Sequence, residues 1–214
     1  MGRLLFLFFR LILIIVFPFI VFLRTATYLH EEYNLLPSVT IVGAIAILSF
    51  LLLIYITVLN KFFFKQSSSF SFLKHKLVFV LLLVVGFSIH LLFFISNSNL
   101  KSQELKSEYL ELHPILRLAT GILVRLDQKL VITDASRKLE DYESMGLNGN
   151  QRSLHFPQED NYVYALDLRT RNRNPIQIFL IRSYFKIMGF DVLRHVGTAD
   201  HLHVSLHCPE ALRK

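Results

Sequence analysis

The apolar positions of this chain follow two different rhythms. Up to Ser96 they run in near-continuous blocks, Leu4 to Leu23, Thr40 to Leu59 and Leu77 to Ser96. Each block is close to the ~20 residues that a helix needs to cross a bilayer, and buried core helices rarely stay apolar for so long. The pattern predicts three membrane spans. Beyond the polar linker Ser96-Asn97-Ser98-Asn99 the blocks give way to periodic spacing. Leu105, Tyr109, Leu112, Ile115 and Leu116 suit an amphipathic helix, with Pro114 placed to break or kink it. Ile132 to Arg137 reads as a short strand running into a helix that opens near Ser136 and continues to Glu143, with Asp134 or Ser136 as N-cap. Tyr162 to Leu168 alternates and reads as a strand. Pro175 suits the first turn of a helix through Ile187, which Gly189 ends. Phe190 to Val196 and His201 to Leu206 read as strands joined by a turn at Gly197-Thr198. The expected fold is α+β: a membrane region over 1–98 with three transmembrane helices, then a small domain over 99–214 with an antiparallel sheet.

Charge sharpens this picture. The chain has 214 residues and a formal net charge of +7, which by itself suggests a nucleic-acid partner. Sorted by region, the part before Asn97 carries seven Lys/Arg against two Glu, and the rest carries sixteen against fourteen Asp/Glu. Most of the excess belongs to the membrane half, so a nucleic-acid role is set aside. Lys61, Lys65, Lys74 and Lys76 lie between the second and third blocks, whereas the stretch between the first and second has Arg24 but also Glu31 and Glu32, with Tyr28 to Ser38 as its short outer loop. The positive-inside rule puts the Lys-rich loop and the N-terminus, with Arg3, in the cytoplasm, and the C-terminal domain outside. Arg10 sits where its side chain can snorkel to the headgroups. A cleaved leader is the competing reading of the first block, with Thr25-Ala26-Thr27 as its nearest cleavage site. Ser67 to Ser71 reads as an interfacial linker, and His90 as a packing residue of the third span. Cys208 is the only cysteine; no intrachain disulfide forms, and it reads as a small core residue rather than a metal ligand beside His207.

The candidate chemistry gathers near the C-terminus. On a strand, His201 and His203 share one face. Upstream stand Ser153-Leu154-His155 and Ala165-Leu166-Asp167. One His, one Asp and a final His make a nitrogen and oxygen donor set suited to Zn²⁺ with a fourth position left for water. With Thr133 and Arg137 ahead of them, and Asp200-His201-Leu202-His203 behind, these residues resemble the zinc D,D-peptidase and murein endopeptidase superfamily, which shares its fold with hedgehog N-terminal domains. The likeness runs from about Ile115 onward. Asp134 stands at the family's serine, Asp200 at a position where many relatives carry Glu, and Phe156 to Tyr164 lengthen the gap between His155 and Asp167. Pro157 to Asn161 has the turn chemistry to loop that insertion out.

The resemblance implies a membrane-anchored zinc peptidase acting on peptidoglycan stem peptides at the inner membrane of a bacterium, its domain periplasmic or extracellular. It implies His155, Asp167 and His203 as zinc ligands, Asp200 as general base, and His201 with Arg137 as stabilisers of the oxyanion. On an ideal strand Asp200 points away from the His201/His203 face, so this role needs a bend before His201. The bland alternative for Arg137 is an ion pair with Glu140 or Asp141. Arg169, Arg171 and Arg173 read as a solvated turn or as contacts to an acidic wall polymer. Two non-enzyme readings stay open: a degenerate member that binds or senses wall peptide, and a structural membrane subunit with incidental histidines.

Overall fold

The computed structural model describes residues 2–64, 70–138, 140, 143, 146, 153–197 and 200–208. Three long helices open the chain: α1 (Gly2–Tyr33), α2 (Pro37–Phe64) and α3 (Phe70–Phe93). All three are long and apolar enough to cross a membrane, over Arg10–Tyr33, Pro37–Phe62 and Leu73–Phe93. The first and second helices run further than the apolar blocks, so the expected loop Tyr28 to Ser38 shrinks to residues 34–36. α3 ends at Phe93, short of the expected Ser96, and Asn97–Asn99 forms a 3₁₀ turn capped by Ser96. Pro18 lies inside α1 without ending it, a tolerance common in membrane helices. Ser67 to Ser69 of the Ser/Phe-rich stretch, and the Lys65 end of the Lys-rich loop, lie outside the described residues.

The rest is α+β. Pro114 does break the amphipathic segment: α4 (Leu105–Glu111) stops ahead of it, and α5 (Pro114–Leu126) starts on it. Proline costs nothing at the first helical position, where its missing N–H would have no partner. His113 caps that start, its Nδ1 accepting from the Ile115 N–H at 3.3 Å. β1 (Ile132–Asp134), β2 (Ala165–Arg169), β3 (Asp191–His195) and β4 (His201–Ser205) form an antiparallel four-stranded sheet in the order β1-β2-β4-β3. α6 (Pro175–Met188) precedes β3, opened by an Asn174/Gln177 capping box and closed by Gly189 at φ +99. The helix expected from Ser136 does not begin there: residues 135–138 are irregular, and most of 139–145, with the Gly146 to Asn150 loop beyond Gly146, lies outside the described residues.

One face of the sheet is apolar. Leu166, Leu168, Leu202 and Val204 are fully buried and join α5 and α6 in a single core. α6 turns Ile178, Ile181, Phe185 and Met188 inward, and the Tyr184 hydroxyl ties it to α5 by donating to the Ala119 carbonyl at 2.7 Å. The same core continues into the membrane helices through Phe22, Leu23, Ala26 and Leu91. α5 is buried from Pro114 to Val124. Its Gly121 lies so near α3 that an added Cβ would sit 3.0 Å from the Leu91 carbonyl oxygen. Arg117 donates to the Leu92 carbonyl. At the C-terminus of α6, Thr27 donates to the Met188 carbonyl at 3.2 Å. The two regions of the chain are thus fused through α5 and α6, which lie between the sheet and the ends of α1 and α3.

Candidate metal centre

The other face of the sheet is polar, and pairing register puts its residues there. Asp167 on β2 lies opposite His203 on β4, and Arg169 opposite His201. Because side chains on paired positions share a face, Asp167, His201 and His203 project together. His155 comes from the segment before β2. The insertion between His155 and Asp167 does loop out. Gln158 N–H bonds to the Tyr162 carbonyl, Asn161 takes the left-handed conformation at φ 64, and Tyr164 N–H returns to the Leu154 carbonyl. The chain leaves and re-enters at one place, so its extra length leaves the convergence intact.

Three donor atoms meet at the centre. His155 Nε2 is 3.1 Å from His203 Nδ1, His203 Nδ1 is 3.0 Å from Asp167 Oδ1, and His155 Nε2 is 3.3 Å from that same oxygen. A tetrahedral ion with bonds of about 2.0–2.1 Å holds its ligand atoms about 3.3–3.4 Å apart. Tautomer chemistry points the same way. His155 Nδ1 is 2.7 Å from the Ala135 carbonyl oxygen. A carbonyl only accepts, so Nδ1 carries the proton and the neutral ring turns a lone pair on Nε2 toward Asp167. Three acceptor atoms then share at most the single proton of His203, a crowding that a cation relieves. The carbonyl bond also fixes ring tautomer and orientation, as partners of metal-bound histidines do. His155 and Asp167 are 3 % and 4 % exposed, whereas the His203 side chain keeps 24 % of its surface, leaving one open side. Among the described residues, this is the set of His, Cys, Asp and Glu side chains that converges closely enough to hold a metal ion.

The surroundings brace Asp167. Burial pushes its carboxyl up, but whenever the imidazoles are protonated, hydrogen bonds from His155 and His203, with the charge of His155 and His201, outweigh that and hold it far below the usual carboxylate range. Its Oδ2 lies 3.5 Å from both Arg137 Nη2 and His201 Nε2, and its carbonyl accepts from the Thr133 hydroxyl at 3.2 Å. Ser153 Oγ accepts from the His155 N–H at 3.3 Å. Arg137 pairs with Asp134, its Nε donating to Oδ2 at 2.7 Å, and its own N–H bonds to the His155 carbonyl. Asp134 and Asp167 are thus carboxylate partners of Arg137 among the described residues, and Asp141 of the expected pairing lies outside them. Asp134 pairs with the Arg137 guanidinium beside Asp167.

Asp200 is placed differently. Its carboxylate takes two bonds from Arg194, at 3.1 Å and 2.6 Å. Arg194 is in register with Leu202, so its side chain starts from the sheet face opposite His201 and His203. The bond from Arg194, aided by Thr170, holds the Asp200 carboxyl down at about 2. Thr198 and Ala199 of the expected turn lie outside the described residues. Arg194 and His195 were not picked out from sequence. His195 stacks on His201 at 4.9 Å between centroids and meets His203 edge-on at 6.2 Å, a neighbourhood that the register His195↔His201 creates. The alternation of β3 was the available signal, and it needed the hairpin register to be known. Cys208 is buried, His207 stands apart from the three donors, and His90 stacks on Phe94 at 5.1 Å. No family model, curated protein or solved structure matches the chain.

Proposed function

We propose that this chain is a membrane-anchored, zinc-dependent hydrolase of peptidoglycan stem peptides, of the D,D-peptidase or endopeptidase kind, with its domain outside the cytoplasmic membrane of a bacterium. The observation that carries the reading is the triangle of His155 Nε2, Asp167 Oδ1 and His203 Nδ1, with sides of 3.0–3.3 Å. Nitrogen and carboxylate donors in that number suit a catalytic zinc with an open position. Zinc bound there supplies Lewis-acid polarisation of a scissile carbonyl and makes water acidic enough to attack near neutral pH.

The chain's own residues do the rest. Arg137 brings positive charge, and His201 an imidazole ring, beside the Asp167 carboxylate and next to the open side, where a developing oxyanion is stabilised. Asp200 is the base within reach by sequence, and it takes up a proton once it leaves Arg194. The resemblance in the motif residues names the substrate class, and the lysine distribution names the side of the membrane.

A second reading has its own support. With Asp200 held by Arg194, the expected base is already paired, which suits a member that binds or senses wall peptide without cutting it. The test is purified full-length protein in detergent, assayed for zinc by mass spectrometry and for cleavage of isolated muropeptides. Zinc with cleavage supports the peptidase; zinc without cleavage under any condition gives the site to peptide binding; absence of zinc sinks both. Orientation is read separately, by a periplasm-dependent reporter active after Lys214 and silent near Ser68.

A further inference from the structure

The outward side of α6 is apolar where a helix on a globular domain is normally polar. Ile176 is 70 % exposed, Phe179 66 %, Leu180 59 % and Ile187 54 %. At about 100° per residue these four, with Ser183, fall in one stripe about 100° wide. The buried set Ile178, Ile181, Phe185 and Met188 lies on the opposite side. Exposed Lys186 borders the stripe on the helix, and exposed Arg171 lies in the turn before it.

The fold says which way this stripe faces. α5 and α6 both join the core on the apolar face of the sheet, linked by the Tyr184–Ala119 bond. The side of α5 turned away from the sheet is covered by α3 at Gly121 and Arg117. The matching side of α6 therefore turns toward the membrane helices too, and its C-terminus is bonded to Thr27. Thr27 lies where the apolar run of α1 gives way to His30-Glu31-Glu32, the level of a bilayer surface.

We infer that α6 lies in the bilayer surface, with Ile176, Phe179, Leu180 and Ile187 at the boundary of headgroups and acyl chains, and Arg171 and Lys186 among anionic headgroups. This rests on the reading that α1 to α3 cross the membrane, and not on the metal or the reaction. An amphipathic helix with a basic rim and aliphatic and Phe side chains on its apolar face has the chemistry for that position. The polar sheet face with His155, Asp167 and His203 then points away from the lipid, toward whatever lies outside.

The chain contains no tryptophan, so single reporters are clean. Full-length Phe179→Trp, with Ile187→Trp as a second variant in case the first folds poorly, is reconstituted in phosphatidylcholine/phosphatidylglycerol vesicles with brominated acyl chains. Phe50→Trp, on an exposed position of α2, reports the span, and Leu193→Trp the opposite sheet face. The expected result is a blue shift and loss of emission for both α6 reporters, strongest with bromines near the headgroup, beside a quenched Phe50→Trp and an unquenched Leu193→Trp. Quenched Phe50→Trp with both α6 reporters unaffected overturns the inference and leaves the membrane reading intact. Quenching by a labelled second copy but not by brominated lipid makes the stripe a dimer surface and overturns it as well. An unquenched Phe50→Trp removes the spans and the inference with them.

Discussion

His155 and His203 meet with a carboxylate between them, whereas His30 and His113 meet across α1 and α5 with tyrosine rings around them. Both pairs are close: ring centroids are 5.0 Å apart in the first and 4.7 Å in the second. In the first, every ring nitrogen that faces inward has a partner or a lone pair aimed at a common point. In the second, the His113 Nε2 lacks a hydrogen-bond partner among the described residues, though both residues are at least 97 % buried. Tyr164 and Tyr162 pack on His113 at 4.9 Å and 5.6 Å. The difference is one of supply. A cluster built around Asp167 can hold a cation. A pair of imidazoles stacked on aromatics has no carboxylate between them, and burial keeps His113 well below its ordinary pKa, with any charge on His30 and that of Arg117 adding to that.

The largest expected effect breaks the first group. His155→Ala, Asp167→Ala or His203→Ala each leaves two protein ligands, so zinc content should fall from about one per chain to a trace. His30→Phe and His207→Ala should leave it unchanged. If His30→Phe releases zinc while His155→Ala keeps it, the two groups have been assigned the wrong way round.

Next in size are effects on rate alone. Arg137→Ala removes a charge beside Asp167 and should slow muropeptide cleavage by about 10²–10³-fold, on the order of losing one oxyanion donor. Asp200→Asn should slow it by ~10²-fold with zinc retained. Equal activity of Asp200→Asn and wild type moves the base elsewhere, with His201 the next to test.

A smaller effect belongs to the second group. The His113 pKa is lowered in the folded state, so the unfolded chain binds a proton first as pH falls below about 6.5, and stability drops from there downward. His113→Asn keeps an acceptor at the start of α5 and removes that titration. The loss of melting temperature between neutral and mildly acidic pH should be smaller in His113→Asn than in wild type. The same loss in both would mean that the buried pair does not carry it.

These contrasts also explain how much was legible in the chain. Three apolar blocks gave three helices because membrane-length runs leave few alternatives. Pro114, Pro175 and Gly189 gave helix ends because their backbone limits are local. His155, Asp167 and His203 were readable as a donor set from motif likeness, and their convergence depends on the β2–β4 register. What stayed hidden depends on distant pairing. Asp134 looked like a defect in a pattern until Arg137 was seen bonded to it. The burial of α5 on both sides was invisible, since its apolar residues suit a helix of an isolated domain equally well. A fragment starting at Leu100 therefore exposes the α5 face that Leu91 and Leu92 help to cover, and should aggregate where the full chain in detergent does not.

The smallest change sits at the edge of the site. Arg194 and Asp200 form an exposed two-pronged pair, so removing it should leave the fold and the zinc untouched. It should still alter Asp200. With Arg194→Gln the carboxyl rises from about 2 toward the ordinary value of about 3.9, becoming a better proton acceptor near neutral pH. Freed from a side chain that starts on the Leu202 face, it can also turn toward His201. If Asp200 is the base, Arg194→Gln should cleave muropeptides several-fold faster than wild type, and Arg194→Gln combined with Asp200→Asn should lose that gain. A rate that rises equally in the double variant would show that Arg194 acts on the substrate directly. An unchanged rate in Arg194→Gln would leave Asp200 as no more than the partner of an exposed arginine.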